Sequence, residues 1–146
     1  MTIAKEAEEY IKEYFKEKRK IELVKLGRGE RGFDFRDSKS EIFIEVKGTG
    51  AKRLSDVLFR YFTNAEYEKA KECLRNNKQY EVHLILGIGT ESVEHYCIPA
   101  KVFIERAKPE VIWSLPNTEG DSGVPSKGLL TTSLTNWRKC GAVSPR

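Results

Sequence analysis

Three charged residues in the first third of the chain have the types and spacing of a metal-assisted hydrolytic site. Asp34 lies in segment 32–36, and Glu45 and Lys47 lie in segment 41–47, which alternates like a strand. Residues two apart on a strand share a face, so Glu45 and Lys47 are predicted to be neighbours. If the two segments form an antiparallel hairpin, Asp34 lies beside them on the adjoining strand. Two carboxylates with an adjacent ammonium would form a hard-oxygen site suited to Mg²⁺.

A solvated charge pair is the competing interpretation, because Glu-x-Lys is common on strands and exposed ion pairs contribute little energy. Three features of the sequence favour a site instead. Phe33 and Phe35 flank Asp34 with apolar bulk, and Gly32 and Gly48 bracket the hairpin. An amphipathic helix also precedes the hairpin.

Helices and further strands are predicted around this hairpin. Apolar residues at helical spacing predict a helix over residues 2–18, and two more helices are predicted at 63–76 and 99–107. The predicted strands are residues 21–26, 32–36, 41–47, 80–88 and 95–99, with further candidates at 57–62 and 111–115. The order helix, hairpin, helix, strand predicts an α/β fold, a three-layer sandwich with a central mixed sheet.

The start of the second helix carries a capping signature. Thr63-Asn64-Ala65-Glu66 places a hydroxyl at the N-cap and a carboxylate three residues later. At this spacing each side chain bonds the backbone of the other residue, which forms a capping box. We therefore interpret Glu66 as a capping residue rather than a catalytic one.

The order of these motifs resembles a known nuclease core. The helix, the strand, Gly-Phe-Asp and Ile-Glu-Val-Lys are similar to the PD-(D/E)XK nuclease superfamily. The continuation Gly48-Thr49 and the helix start at Thr63 resemble, more specifically, the Mrr-like domain at the C-terminus of the plant NO VEIN protein and in many prokaryotic defence proteins. The similarity runs from about Ala4 to Pro99. Phe33 stands where the superfamily has a nominal Pro, which many of its active members lack.

This resemblance implies a restriction-endonuclease-like fold and a Mg²⁺-dependent DNA endonuclease, with Mn²⁺ as a substitute ion and a role in defence or DNA repair. Asp34 and Glu45 would be catalytic metal ligands, joined by the backbone carbonyl of Val46. Lys47 would orient or deprotonate the attacking water, or stabilise developing negative charge. A catalytically inactive module of the same fold that binds protein or nucleic acid is the alternative, because a fold does not determine a function.

A further metal ligand is expected from the first helix in this superfamily. On the helical wheel Glu9 lies opposite the apolar stripe, whereas Glu6 and Glu8 border it. Ala7-Glu8 also matches an Ala-Glu early in the resembling domain, so Glu8 is the candidate. The alternative is that Glu8 belongs to a solvated helix face.

Basic residues lie in the two loops that flank the hairpin, and they are the candidates for nucleic-acid binding: Arg28, Arg31, Lys52 and Arg53. In these positions they would neutralise DNA phosphates around one concave surface. The alternative is that loops simply tolerate arginine and lysine. No sequence-reading module is evident, so specificity would come from a homodimer, a partner protein or the C-terminal arm.

Composition bounds the class of protein. The 146 residues include 33% charged and 39% hydrophobic residues with a net charge of +4, which is typical of a globular domain and permits a polyanionic partner. We expect a core domain over residues 1–115, and an arm or tail over 116–146, where Gly, Ser, Thr, Pro and Asn increase. No apolar run is long enough to cross a bilayer, so no membrane partner is expected.

The cysteines and histidines indicate no metal centre of their own. Cys73, Cys97 and Cys140 are odd in number and widely spaced, which favours a reducing cytoplasm over a disulfide framework. His83 and His95 have no second His or Cys at ligand spacing, so a zinc site is not expected.

Overall fold

The structure, a computed structural model, describes residues 2–53, 61–109, 112–113, 125–126, 129–131 and 138–139. Its helices are α1 (Ile3–Tyr14), which continues as a π-helical turn (Phe15–Arg19), α2 (Asn64–Arg75) and α3 (Ala100–Arg106). Its strands are β1 (Val24–Lys25), β2 (Phe35–Arg36), β3 (Ile42–Gly48), β4 (Tyr61–Thr63), β5 (Gln79–Leu86), β6 (Glu94–Pro99), β7 (Lys108–Pro109), β8 (Ile112–Trp113), β9 (Pro125–Ser126), β10 (Leu129–Thr131) and β11 (Arg138–Lys139).

The central sheet is mixed. Its strand order is β1-β2-β3-β5-β6-β11, in which β3 and β5 run parallel and the other neighbours run antiparallel. The predicted hairpin is present, with Phe35 opposite Ile44 and Arg36 opposite Phe43. Its turn is closed by the Asp37 side chain, which accepts hydrogen bonds from the two backbone N–H groups that begin β3. The predicted α/β fold class is therefore confirmed.

Helices cover both faces of this sheet because the buried strands are apolar on both sides. One face packs against α1 and the other against α2 and α3. The buried residues of the α1 layer are Ala7, Ile11, Phe15, Leu23, Phe35, Ile44, Ile85 and Ile88. Those of the opposite layer include Phe33, Phe43, Phe62, Ala70, Tyr80, Val82, Leu84, Ile98 and Phe103. The result is the expected three-layer sandwich.

Several predicted boundaries were wrong. The first helix was expected to end at Lys18, but its α-helical part ends at Tyr14, and Lys20 then adopts a left-handed conformation with φ of 56°. Strand β2 spans Phe35–Arg36 rather than the predicted 32–36. Strand β1 pairs with these two residues and so spans two residues rather than the predicted 21–26. The candidate strand 57–62 lies mostly outside the described residues, and of the candidate strand 111–115 the structure describes only 112–113, which form β8.

Parts of the C-terminal segment belong to sheets. Strand β11 extends the central sheet beside β6, and β10 lies between β4 and β7 in a separate three-stranded sheet. Strands β8 and β9 form a third, two-stranded sheet. In the described part of the chain, no helix has the length and apolar character needed to cross a membrane.

Candidate functional site

The hairpin brings Asp34 to the side of β3. The backbone N–H of Asp34 donates to Ile44 at 2.8 Å, and its carboxylate Oδ2 accepts from the backbone N–H of Val46, also at 2.8 Å. The Asp34 carboxylate thus accepts a hydrogen bond from a β3 backbone N–H group, a role that a backbone carbonyl has in regular strand pairing. This bond fixes the Asp34 carboxylate against the strand that carries Glu45.

Glu45 and Lys47 lie on one face of β3, as the alternation predicts. Lys47 Nζ is 3.3 Å from Glu45 Oε2, and Glu45 is only 7% exposed. The aliphatic and aromatic neighbours include Phe62, whose ring centroid is 5.3 Å from Lys47 Nζ. This pair is therefore buried between sheet and helix, unlike the solvated charge pair of the competing interpretation.

A third carboxylate enters from α2. Thr63 Oγ1 accepts from the backbone N–H of Glu66, and Glu66 Oε1 accepts from the backbone N–H of Thr63 at 3.4 Å, so the predicted capping box is confirmed. Glu66 Oε1 also lies 3.3 Å from Lys47 Nζ. Glu66 is 6% exposed, and its Oε2 has no hydrogen-bond partner among the described residues. Glu66 is thus a capping residue that also belongs to the site, which the sequence motif alone did not indicate.

We call Asp34, Glu45, Lys47 and Glu66 the carboxylate cluster. Two glycines allow the elements that carry it to approach closely. Gly32 has φ of +85°, and a Cβ there would lie 2.5 Å from the carbonyl oxygen of Ala65 in α2. A Cβ on Gly48 would collide with Ala7 of α1. Glycine at these positions therefore lets both helices pack directly against the hairpin.

Tyr80 helps to hold the loop before Asp34. Its hydroxyl donates to the carbonyl oxygen of Gly32 at 2.7 Å, and its ring is buried against Phe103. This bond anchors the chain two residues before Asp34 to the centre of the sheet.

Glu8 is partly buried at the border of the apolar stripe of α1, as is Glu6. Glu8 pairs with Lys25, with its Oε2 2.9 Å from Lys25 Nζ. Its charge is near enough to Asp34 to raise the pKa of that carboxyl. Glu9, on the opposite side of the helix, is exposed.

The pKa values in the cluster are shifted by burial and by crowding of like charges. Burial raises the pKa of Glu45 to about 9, and the charges of Glu66 and Asp34 act in the same direction. Burial also raises the pKa of Asp34, an effect that the hydrogen bond from Val46 partly offsets. Burial lowers the pKa of Lys47, but the charges of Glu45 and Glu66 outweigh it, so that pKa is raised overall.

The donor set of the cluster fits a divalent cation. Three carboxylates provide the hard oxygen ligands that Mg²⁺ and Mn²⁺ prefer, and the unpartnered Oε2 of Glu66 is available to such an ion. In the structure, the Glu45 and Glu66 carboxylates both contact the Lys47 ammonium. Over the residues with described positions, no group of three or more His, Cys, Asp or Glu side chains has the arrangement that holds a metal ion.

Comparison with known proteins identifies the family. The family model for the C-terminal region of protein NO VEIN matches residues 4–98. The chain belongs to this family. The matched range spans α1 to β6 and so contains every member of the carboxylate cluster. No curated protein and no solved structure shows significant similarity to the chain.

The basic residues predicted to bind DNA lie at the surface of this NO VEIN C-terminal family domain. Arg28, Arg31, Lys52 and Arg53 are exposed, in the loops before and after the hairpin. Arg31 lines a groove of about 670 Å³ between its loop and α2, together with Phe33 and Asn64. Of the residues that line this groove, Phe33 directly precedes Asp34 in the chain. The contact of the basic residues with DNA remains a prediction.

The two histidines form a buried pair on the opposite face of the sheet. His83 Nδ1 lies 2.6 Å from His95 Nε2, and His83 Nε2 lies 2.8 Å from Glu81 Oε1. Arg19 extends this series of hydrogen bonds by donating to Glu81 at 2.6 Å. The spacing in the sequence gave no sign of this pair, because β5 and β6 bring the two residues together across the sheet.

Proposed function

We propose that the chain is a Mg²⁺-dependent nuclease domain of the PD-(D/E)XK kind that hydrolyses phosphodiester bonds in DNA. The observation that carries this proposal is the close packing of Asp34, Glu45 and Lys47 on one hairpin. Glu45 is buried there and Asp34 is partly buried, with the Lys47 ammonium 3.3 Å from Glu45. Carboxyl groups whose pKa values are raised by burial and by neighbouring like charges are typical of functional sites.

Each residue of the hairpin would have a distinct role. Asp34 and Glu45 would hold the cation, with the carbonyl of Val46 and, from α1, Glu8 as the further ligands that the superfamily resemblance implies. A bound Mg²⁺ would polarise the scissile phosphate and make water more acidic. Lys47, positioned by Glu45 and Glu66, would orient the attacking water and stabilise negative charge that develops on the phosphate.

A catalytically inactive binding module is the second candidate. It is favoured by the position of Lys47 between Glu45 and Glu66, where the ammonium already neutralises two carboxylates. The absence of a preformed metal group among the described residues is consistent with this alternative. In such a module the fold and the basic loops would serve for contacts with protein or nucleic acid.

Cleavage assays on supercoiled and linear DNA in Mg²⁺ or Mn²⁺ distinguish the two candidates. The parent chain should cut, and Asp34→Asn or Lys47→Met should lower the rate by about 10²-fold or more, since each removes a group required in the transition state. Glu9→Gln, on the exposed side of α1 and outside the groove that Arg31 lines, is the matched control and should cut at the parental rate. DNA binding without cleavage under every condition would support the inactive module.

Salt dependence of DNA binding tests the basic loops. Each phosphate contact steepens the fall of log affinity with log salt by about 0.9. The double variant Arg31→Ala/Lys52→Ala should therefore show a slope shallower by up to about 1.8. A slope equal to that of the parent would exclude this surface, and no binding even at low salt would argue against DNA as the partner.

A further inference from the structure

We infer that Glu66 is a third ligand of the divalent cation in the carboxylate cluster, binding through Oε2 while Oε1 continues to cap α2. This inference rests on the proposed function. It differs from it in assigning a metal-binding role to a helix-capping residue of α2, an element that carries none of the other proposed ligands.

The burial of Glu66 is the first observation in support. The side chain is 6% exposed, and its Oε2 accepts no hydrogen bond from any residue whose position is described. A buried carboxylate oxygen without a donor is unfavourable, because it has lost its water without gaining a partner. A bound cation would supply the missing partner.

The arrangement of charge is the second observation. Lys47 contacts both Glu45 and Glu66 at 3.3 Å, and Glu66 acts on Glu45 more strongly than Asp34 does. Two carboxylates therefore share the single ammonium of Lys47, and Asp34 acts on Glu45 from the same hairpin, so ionising all three carboxylates leaves an excess of negative charge. A divalent cation between the carboxylates would balance this excess, and Glu66 would face it from the α2 side.

Helix capping alone does not account for these features. A capping box requires only that the N3 side chain reach the N-cap backbone, and this is achieved by Oε1 at 3.4 Å. That distance is long for a hydrogen bond, and the same oxygen lies 3.3 Å from Lys47 Nζ. Capping does not require the burial of the second oxygen.

Glu66→Gln separates the two roles, because glutamine at N3 also forms a capping box but carries no charge. In calorimetric titrations with Mn²⁺, Glu66→Gln should bind at least tenfold more weakly than the parent, while its Tm in EDTA stays at or above the parental value. Glu68→Gln is the control, since Glu68 lies on the same helix and is exposed. It should keep the parental affinity.

A spectroscopic measurement distinguishes a ligand from a neighbour. Electron–nuclear double resonance on bound Mn²⁺ in ¹⁷O-water should count one more coordinated water in Glu66→Gln than in the parent. Thr63→Ala weakens the cap but keeps the carboxylate, so it should lower Tm and leave the water count unchanged. If Glu66→Gln does not fold, Glu66→Asp provides the test, because its shorter carboxylate should also be replaced on the ion by a water, and an unchanged water count would overturn the inference.

The outcomes separate this inference from the proposed function. If Glu66→Gln binds Mn²⁺ as tightly as the parent while Asp34→Asn does not, Glu66 is not a ligand and the hairpin site stands. If Glu66→Gln has the same number of coordinated waters as the parent, Glu66 is not a ligand and the inference is wrong. If the parent itself binds no Mn²⁺, both the inference and the proposed metal site are wrong.

Discussion

Binding of a divalent cation should release a proton from Glu45. Burial, with the charges of Glu66 and Asp34, raises the pKa of Glu45 to about 9 although Lys47, 3.3 Å away, acts in the opposite direction, so we expect this carboxyl to carry a proton at neutral pH. A carboxyl group must be ionised to act as a metal ligand. An ion that binds at pH 7 therefore has to displace the proton.

The displaced proton determines how affinity depends on pH. Below the pKa, the ionised fraction falls about tenfold with each pH unit, so the apparent Kd for Mn²⁺ should fall about tenfold per unit, or about 100-fold between pH 6 and pH 8. The range from pH 6 to pH 8 lies below the Glu45 pKa of about 9, so the ionised fraction of Glu45 rises with pH throughout it.

Calorimetry in two buffers of different ionisation enthalpy measures this proton directly. At pH 7 the two heats of Mn²⁺ binding should differ by the amount expected for about one proton transferred to buffer. Glu45→Gln should bind more weakly and with a flatter pH profile, whereas Glu68→Gln should keep the full slope. Equal Kd values at pH 6 and pH 8, with equal heats in both buffers, would show that Glu45 is ionised before the ion arrives or does not bind it.

Two further predictions concern stability in EDTA. Burial lowers the pKa of His83 and His95, that of His95 to about 2, so only the unfolded chain gains these protons as pH falls below about 6.5. The free energy of unfolding should then fall by up to about 1.4 kcal/mol per pH unit for each histidine. Urea titrations at pH 7 and pH 5 should show a smaller fall in the free energy of unfolding for His83→Gln/His95→Gln than for the parent. Asp34 and Glu45 have raised pKa values, which favour the folded state in acid, but this effect is the same in both proteins and cancels in the comparison. An equal fall would mean that the pair is already charged. Thr63→Ala should lower the free energy of unfolding by about 1 kcal/mol through loss of the N-cap, and an unchanged urea midpoint would show that the cap is unimportant.

The hairpin was predictable from the sequence because its determinants are local. Alternation along 41–47 fixes which residues share a face, and the polar turn fixes the register with the segment that contains Asp34. The helices were predictable in type for the same reason. The short length of β1 was not, because it depends on how far its partner β2 continues, which is decided by tertiary contacts.

The wider role of Glu66 could not be derived from local pattern. The motif from Thr63 to Glu66 accounts for the Glu66 side chain fully as a helix cap, and the structure contains this capping box. Its contact with Lys47 depends on where α2 lies relative to β3, nineteen residues earlier in the chain. The buried histidine pair was missed for a similar reason, since His83 and His95 are twelve residues apart and meet only across paired strands.

The three-layer architecture explains why the cluster forms at Asp34. Asp34 immediately precedes β2, which begins at Phe35, and its carboxylate accepts a hydrogen bond from the backbone N–H of Val46 in β3. Charged side chains from the helices on both faces of the sheet act on this site. Glu8 acts on Asp34 from α1 on one face, while Glu66 from α2 on the other face acts on Glu45. The site is therefore assembled from three separate segments, so a change that displaces either helix should affect its charge balance even when the hairpin is intact.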